Sequence, residues 1–385
     1  MAAPRVLIVL DIGAAWSRGL LRGFAGVAHQ HGWSLLHYHP NADLRWLLDK
    51  WSPNAAALGP SLPGAWPGKL LGSRLSVSLN ADRSGEGVAS IFPDEQRIAE
   101  LALSHLTARG LRYLTSFRFD DSPFAVLRER RFREAARKAP VELEPPWWVD
   151  GATPPRSQEH PAVIAEWLGS LRKPCGIFVC CDAWARVVMR YALAMGIRVP
   201  EDVALVGVDN DTTECEVLSP PLSSVAVPWH HAGETAARLL ASGLRGGDIG
   251  GKRVLVAPVD VVARRSTDVL AVEDPLVLEA IAWIHARAAE PINVPAIVAA
   301  VKVSRQRLER HFRASIGRSV MQEVRRVRVE RARQLLATSD LSLAEVARHS
   351  GFSTLALLSV AFRRKLGVPP ATFRRRCRDA YARDD

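Results

Sequence analysis

The hydrophobic pattern of this 385-residue chain changes its period near residue 275, and that change limits the possible folds more than any other feature. Before it, short apolar runs alternate with amphipathic stretches: residues 6–10 and 33–38 are typical of strands, and residues 17–29 of the helix between them. The alternation returns in residues 176–208. Such strand–helix–strand units predict parallel sheets with helices on both faces. After residue 275 only helical spacing remains, so an all-α part should follow the α/β part.

The length and the position of turn-forming residues predict how these parts are divided. A chain of 385 residues exceeds the usual size of one domain, and repeated units over about 265 residues predict two doubly wound lobes. Residues 266–275 contain turn formers and a proline, which predicts a linker. We therefore expect one domain over residues 1–265, the linker over 266–275 and a second domain over 276–385.

The positive charge of the chain is concentrated in the second of these parts. Residues 275–385 contain 21 Lys and Arg against 10 Asp and Glu, whereas the whole chain has 51 and 40, so residues 1–274 carry 30 of each sign. A basic region joined to a neutral one indicates that only the basic region meets a polyanion. A polyanion is therefore the predicted partner of the second part, and double-stranded DNA is one such polyanion.

A helix-turn-helix pattern occurs in the basic part. Residues 294–300 are typical of a short helix, and after a turn at 301–303 Ser304 can cap a second helix that runs to about residue 315. Leu308 and Phe312 lie four residues apart and should face inward. Five polar side chains should face outward, namely Arg305, Gln306, Glu309, Arg310 and Arg313. In the major groove arginine can bind guanine and glutamine adenine; an ordinary solvated helix is the alternative.

The pattern occurs a second time, which favours DNA binding over the alternative. A long basic helix over residues 319–337 is followed by a short helix over 342–349, a turn, and an outer helix over 353–365. The predicted units thus span about 294–315 and 342–365. The second outer helix presents Leu355, Ala356, Ser359 and Val360, followed by Arg363, Arg364 and Lys365. We expect the first unit to set sequence preference and these three cations to hold phosphates, with Ser359 as a further DNA contact.

Residues 304–376 resemble the C-terminal domain of AraC-type regulators. The resemblance rests on Ser304, Leu308, Arg310, Phe312 and Gly317 in the first unit, and it continues through Ala332, Leu335, Leu336, Gly351, Phe352, Phe362, Gly367, Pro369 and Arg374. It implies that two helix-turn-helix units joined by the long helix enter successive major grooves. It also implies that Gln306, Glu309 and Arg310 contact bases.

Residues 5–268 resemble the periplasmic-binding-protein fold as LacI-type regulators use it. The matching stretches are RGLLRGFAGVAHQHGWSL, CCDAWARVVMRYALAMGIRVPEDVALVGVDND, LSSVAVPWHHAGETAARLL and VVARRSTD. A sensor of this kind placed before an AraC-type tail is similar to the XylR-like transcription regulators. The resemblance implies a two-lobed α/β sensor that binds a small effector between its lobes.

Six residues are candidates for contacts with that effector. Four polar residues fall where the resemblance places effector contacts: Asp182, Asp209, Asp94 and Arg128. Carboxylates and a guanidinium can each engage two neighbouring sugar hydroxyls. Trp16 could stack on a sugar, with Arg18 beside it. The alternatives are helix N-caps for the aspartates, a surface charge run for Arg128 and core packing for Trp16.

The sequence contains no pattern for catalysis or metal binding. Its five cysteines have no paired CxxC spacing, and no GxSxG, Walker A or HExxH motif occurs. We therefore expect neither an enzyme nor a metal or other cofactor. No apolar run approaches the roughly 18 residues that cross a bilayer, and the start lacks the features of a signal peptide, so a cytoplasmic protein without membrane contact is expected.

Together these patterns predict a sequence-specific transcription regulator. A small polar effector, such as the monosaccharide xylose, should control it, and we expect a homodimer with RNA polymerase as a further candidate partner. Two alternatives stay open from the sequence. One is a constitutive DNA-binding protein whose first domain only dimerises, and the other is a regulator of a non-sugar metabolite.

Overall fold

A computed structural model describes residues 3–40, 44–60, 75–80, 83, 88–147, 161–269, 274–366 and 368–381. In this part the chain forms two six-stranded sheets followed by a group of helices. The predicted fold class, a two-lobed α/β part followed by an all-α part, is confirmed. The predicted boundaries at 265 and 276 stay predictions, and residues 270–273 of the predicted linker lie outside the described residues.

The strands, numbered in chain order, are β1 (Arg5–Val9), β2 (Ser34–Tyr38), β3 (Ala55–Leu58), β4 (Leu75–Leu79), β5 (Ala89–Pro93), β6 (Tyr113–Phe117), β7 (Glu142–Leu143), β8 (Cys175–Val179), β9 (Val203–Asp209), β10 (Ser223–Ala226), β11 (Arg253–Val256) and β12 (Val261–Val262). The first sheet has the order β11-β5-β4-β3-β1-β2 and is parallel throughout. The second has the order β12-β10-β9-β8-β6-β7, with β12 antiparallel to β10 and the other pairs parallel. Every residue of β3 and β8 is buried, as expected for strands covered on both faces.

The helices of the sensor part are α1 (Ala15–Gln30), α2 (Leu44–Trp51), α3 (Glu95–Thr107), α4 (Pro123–Ala136), α5 (Pro161–Ser170), α6 (Asp182–Ala194), α7 (Thr212–Val217) and α8 (Trp229–Leu244). Helices α1 and α8 cross with their backbones close together. A Cβ on Gly23 would lie 1.9 Å from the His230 carbonyl oxygen, and one on Gly233 would lie 1.9 Å from that of Leu20. This crossing therefore requires glycine at both positions, and it brings the start of α8 beside α1.

The described strands show the chain passing between the two sheets after β5, after β10 and after β11. The last of these crossovers, residues 257–260, is the shortest. Any relative movement of the two lobes must be absorbed in such connecting segments, because the sheets themselves are packed.

The helices after residue 274 are α9 (Pro275–Ala286), α10 (Val294–Ala300), α11 (Arg305–Ile316), α12 (Val320–Thr338), α13 (Leu343–His349), α14 (Leu355–Leu366) and α15 (Pro370–Tyr381). They enclose two separate apolar cores, one around Leu308 and Phe312 and the other around Leu358 and Phe362. The long helix α12 contributes to both cores and joins them. Among the described helices, none is long and apolar enough to span a membrane.

Local sequence signals explain where these helices begin and end. The Ser304 hydroxyl accepts a hydrogen bond from the Arg307 amide at 3.2 Å and caps α11. Gly317 ends α11 with a φ of +67°, a conformation that glycine adopts without strain. Ser319 and Ser342 form capping boxes at the starts of α12 and α13. The predicted helices 304–315 and 353–365 thus correspond to α11 and α14.

Candidate ligand cleft and DNA-binding surface

A cavity of about 250 Å³ lies between segments from the two lobes. Its walls come from the start of α1, from residues 209–213 after β9, and from residues 227–231 between β10 and the first turn of α8. This is the carboxyl end of β9, where parallel sheets commonly bind ligands. Of the six predicted effector contacts, Trp16, Arg18 and Asp209 line the cavity.

Asp209 is one of two aspartates that line this cleft, the other being Asp211. Its backbone φ is +102°, which is strained for a residue with a side chain, and strain of this kind is concentrated at functional sites. One carboxylate oxygen accepts a hydrogen bond from the indole Nε1 of Trp229 at 3.3 Å. Burial raises the pKa of Asp209 and Arg128 opposes the effect, which leaves it at about 6.

Two tryptophans form an aromatic wall of the cleft. The rings of Trp16 and Trp229 have their centroids 5.4 Å apart and are tilted by 50°. Arg18 is exposed beside them and donates to the carbonyl oxygens of Ile12 at 3.0 Å and Gly13 at 2.7 Å. The predicted residues Trp16 and Arg18 are therefore brought together with Asp209. Their roles as ligand contacts stay predictions.

Arg128 lies behind the cleft wall with only 1% of its surface exposed. It forms a bidentate pair with the Glu95 carboxylate at 2.6 and 2.9 Å and donates to the Cys180 carbonyl oxygen at 2.6 Å. Its Nη1 is 3.9 Å from the Asp209 carboxylate. Arg128 is thus fixed by Glu95 and provides positive charge behind Asp209. The alternative of a surface charge run does not describe this buried side chain.

Asp182 is buried, with 1% of its surface exposed, and holds the loop that follows β9. Its carboxylate accepts hydrogen bonds from the Ser224 hydroxyl at 2.6 Å and the Asp211 amide at 2.8 Å. Burial raises its pKa well above the ordinary value, and the charge of Asp209 adds to the effect. Gly207 makes room for it, because a Cβ there would lie 2.1 Å from Asp182 Oδ1. These contacts suit a residue that positions Asp209.

Asp94 caps α3, because its carboxylate accepts a hydrogen bond from the Arg97 amide at 3.0 Å. It does not line the cavity around Asp209. This geometry matches the N-cap alternative raised from the sequence, while contact with an effector stays a prediction. Among the described residues, no group of three or more His, Cys, Asp and Glu side chains is arranged to hold a metal ion.

The outer face of α11 is exposed and basic. Leu308 and Phe312 are buried, whereas four of the five predicted DNA contacts are exposed: Arg305, Gln306, Arg310 and Arg313. Within the described part of the chain, these four side chains form no ion pair or hydrogen bond. The fifth, Glu309, is half-buried, and its carboxylate lies 3.4 Å from the Val320 amide at the start of α12. Glu309 therefore also bridges α11 to α12.

The corresponding face of α14 is exposed and mainly apolar. Leu357 and Val360 are 54% and 68% exposed, and Leu355 is also exposed. Ser359 is half-buried beside them. At the carboxyl end of α14 the side chains of Arg363, Arg364 and Lys365 are exposed. All nine predicted DNA contacts thus lie on α11 or α14, and their contacts with DNA stay predictions.

Both parts of the chain are similar to known protein families. Residues 103–267 match a family model described as a periplasmic binding protein-like domain, and residues 297–376 match one described as a helix-turn-helix domain. The xylose operon regulatory protein of Escherichia coli (strain K12) is 30% identical over 288 residues, 74% of this chain and 73% of that protein. The chain belongs to the XylR-like family of transcription regulators.

Solved structures agree with this XylR-like fold. The structure of the xylose-binding transcription activator XylR has a TM-score of 0.62 and 24% identity, covering 97% of this chain and 98% of that one. The complex of the transcriptional regulator CelR with cellobiose has a TM-score of 0.57 and 22% identity over 68% of this chain and 84% of that one. The predicted function of a DNA-binding transcription regulator is confirmed.

The sequence did not single out three residues that the structure places at the cleft of this XylR-like regulator. Trp229 bonds to Asp209, Glu95 holds Arg128, and Asn210 lines the cavity. The Asn210 side-chain oxygen is buried and accepts no hydrogen bond within the described residues. A signal existed for Asn210, because it directly follows the end of β9, whereas Trp229 lies three residues after the end of β10. Glu95 had no such signal, since its partner is 33 residues away.

Proposed function

We propose that this regulator binds a monosaccharide between its lobes, with D-xylose as the first candidate, and that the bound sugar controls its DNA binding. The observation that carries the proposal is the Asp209 carboxylate beside the tilted pair Trp16 and Trp229. A sugar presents hydroxyl donors together with apolar C–H faces, and a carboxylate with an indole wall matches both. A cavity of about 250 Å³ fits a molecule of this size.

The relatives support a sugar as the effector. The relative quoted above is named for the xylose operon, and the two solved structures are titled as a xylose-binding activator and as a complex with cellobiose. Arg128 and Asp182 support the site from behind by fixing the position and charge of Asp209. Asp94 and Arg18 are proposed as contacts made when the lobes close.

On the DNA side, we propose that α11 enters the major groove and reads bases through Gln306, Glu309 and Arg310. Arg305 and Arg313 flank these residues on the exposed face and would bind neighbouring phosphates or bases. Helix α14 would occupy the next groove, with Ser359 near the bases and Arg363, Arg364 and Lys365 on phosphates. The exposed arginine side chains of α11 and α14 have no partner among the described residues, which supports this division, because a contact with DNA then breaks none of the described contacts within the protein.

The same proposal covers the location, the assembly and the domain boundaries of the protein. We infer a cytoplasmic homodimer without catalytic activity or cofactor, with residues 1–265 as the sensor and 276–385 as the DNA-binding domain. A dimer would present two copies of α11 to paired half-sites. RNA polymerase is proposed as a further partner at the promoter.

Calorimetry with D-xylose tests the sensor half of the proposal. Wild type and Asp49→Ala, an exposed aspartate on α2 outside the cavity, should bind D-xylose equally. Asp209→Asn keeps a residue that tolerates positive φ but removes the charge, and it should lose about 10- to 100-fold in affinity, as for a hydrogen bond to a charged group. Unchanged binding by Asp209→Asn would remove this residue from the site.

The same experiment distinguishes the alternatives. If D-xylose and other monosaccharides give no heat while another polar metabolite binds in an Asp209-dependent way, the effector is not a sugar. If no small molecule binds and DNA affinity never responds, the first domain only dimerises.

A further inference from the structure

The crossover of residues 257–260 runs beside the wall of the cleft. The Val259 amide donates to the Ala226 carbonyl oxygen at 2.8 Å, and the Ala226 amide donates to the Asp260 carbonyl oxygen at 2.8 Å. Ala226 is the last residue of β10, pairs in register with Asp209, and immediately precedes the cavity-lining segment 227–231. Two connections between the lobes are therefore bonded to each other next to Asp209 and Trp229.

The DNA-binding helices hold the same crossover from the other side. Val259 packs against the apolar core around Leu358 and Phe362. Arg333 of α12 donates a hydrogen bond from Nη1 to the Val261 carbonyl oxygen, and the same nitrogen lies 3.4 Å from Asp260 Oδ2. Arg333 and Asp260 are both buried, at 7% and 8% exposure. The crossover is thus held between the cleft wall and the second helix-turn-helix unit.

A second contact fixes the other end of α12 to the sensor. Arg318, just before α12, donates to the Ala108 carbonyl oxygen at the end of α3 at 2.9 Å. It also pairs with Glu323 at 2.5 Å, and Glu323 pairs with Arg326 at 2.7 Å. Helix α12 therefore lies along the second lobe with contacts at both ends. The contact at Arg333 differs from that at Arg318, because Arg333 reaches the short crossover at residues 257–260, which is bonded to the cleft wall at Ala226, whereas Ala108 lies in the long connection between β5 and β6.

We propose that Arg333 is a positioning residue that couples the cleft to the DNA-binding helices through Asp260 and the crossover. Lobe closure changes the backbone of the crossing segments, and Arg333 with the Val259 contact transmits that change to α12 and α14. A buried ion pair contributes little net stability, because desolvation offsets the attraction, but it selects one geometry of its partners. This coupling rests on the proposed function, in which an effector occupies the cleft.

Because coupling is reciprocal, DNA binding must change the affinity of the cleft for its effector, and we expect the same coupling to change the backbone of the empty cleft. Hydrogen–deuterium exchange of the full chain, alone and with a duplex selected from a random library, measures this directly. In the wild-type protein, DNA binding should change the rate of amide hydrogen–deuterium exchange in residues 226–231 by about fivefold or more. Arg333→Met should still bind the duplex and lose that change.

Arg331→Met is the matched control. Arg331 is on the same helix and donates to the His349 carbonyl oxygen at 2.7 Å within the helical part, so its loss leaves the crossover untouched. It should respond as wild type does. Asp260→Asn removes the charged partner of Arg333 in the sensor with nearly unchanged side-chain volume. If Arg333→Met does not fold, the exchange measured for Asp260→Asn decides the test. The proposal is overturned if wild type shows no change at 226–231, or if both interface variants keep it.

Titration with D-xylose separates this proposal from the proposed function. Arg333→Met and Asp260→Asn should keep wild-type affinity for D-xylose, while the ratio of their DNA affinities with and without the sugar falls towards one. A wild-type protein that shows the DNA-dependent exchange but binds no D-xylose contradicts the sugar assignment and supports the coupling.

Discussion

The two helix-turn-helix units share one architecture but present different outer surfaces. In α11 and α14 the inner residues are equivalent, with a buried Leu and Phe four positions apart: Leu308 and Phe312 in one, Leu358 and Phe362 in the other. On the outer face, Arg310 of α11 corresponds to Val360 of α14. The inner face determines the fold, so the outer face can differ without changing it. One unit can therefore read sequence while the other holds the duplex.

The largest expected effect follows from removing the reading residue. Arg310→Ala should weaken binding to a selected duplex by about 1–3 kcal/mol and relax its sequence preference, because the proposed arginine fork on guanine would be lost. Binding titrations against the selected site and single-base variants measure both effects. An Arg310→Ala protein with full sequence preference would show that α11 is not the reading helix.

Effector binding by the sensor and base preference of α11 should depend differently on pH. Asp209 has a raised pKa of about 6, so below pH 6 its carboxyl takes up a proton and D-xylose affinity should fall about tenfold for each pH unit. The part of the base preference that depends on Gln306 and Arg310 should stay constant, since glutamine and arginine do not titrate there. Calorimetry from pH 7.5 to 5 measures the first and duplex titrations the second. Equal D-xylose affinity across this range would contradict the role of an ionised Asp209.

Asp209 also affects the free energy of unfolding of the ligand-free protein, and its raised pKa determines the direction of this effect. Because its folded pKa is raised above the ordinary value near 4, the folded state binds the proton more tightly than the unfolded state, and its contribution to stability is lost as pH rises from about 4 to 6. Asp209→Asn should therefore be more stable than wild type at pH 7.5 and gain less at pH 4.5. Chemical denaturation at the two values checks this, and a variant less stable at pH 7.5 would contradict the assigned burial cost.

A smaller effect is expected from the cations of α14. Arg364→Gln should weaken binding to all duplexes alike and reduce the slope of log affinity against log salt by about 0.9, because one phosphate contact is removed. Duplex titrations at several salt concentrations measure the slope. A loss confined to particular base pairs would instead make α14 a reading helix.

The smallest effect is expected at the apolar position of α14. Val360→Ala should change affinity and base preference by less than about 1 kcal/mol, since a valine can contact at most a thymine methyl group. It is the direct counterpart of Arg310→Ala. Losses of similar size from the two substitutions would remove the distinction between the units.

The sequence predicted the fold and the buried and exposed faces of α11 and α14 well, because both depend on local patterns. Periodicity located α11 and α14, and residues four apart defined their inner faces. The cleft was predicted less completely, because its contacts join distant residues. Asp209 lines the cavity as expected, whereas Asp182 turns inward to Ser224, into space left by a glycine in the neighbouring strand. An aspartate after a strand has the same local signal in both cases.

Arg333 illustrates the same limit in the helical part. In the sequence it is one of several arginines on a long basic helix, indistinguishable from Arg331. The structure separates the two, because Arg333 binds Val261 of the sensor, 72 residues away, in addition to Glu330 of its own helix, whereas Arg331 binds His349 of the helical part. Which arginine faces the sensor depends on how the two parts dock, and local periodicity does not encode that.

The difference between the two units is tested most directly by selecting duplexes from a random library with the full chain and sequencing the bound pool. We predict one strongly selected block of base pairs, read by α11, next to a weakly selected block about one helical turn away, where α14 holds the backbone. Two blocks selected with equal strength would contradict the division of roles between α11 and α14.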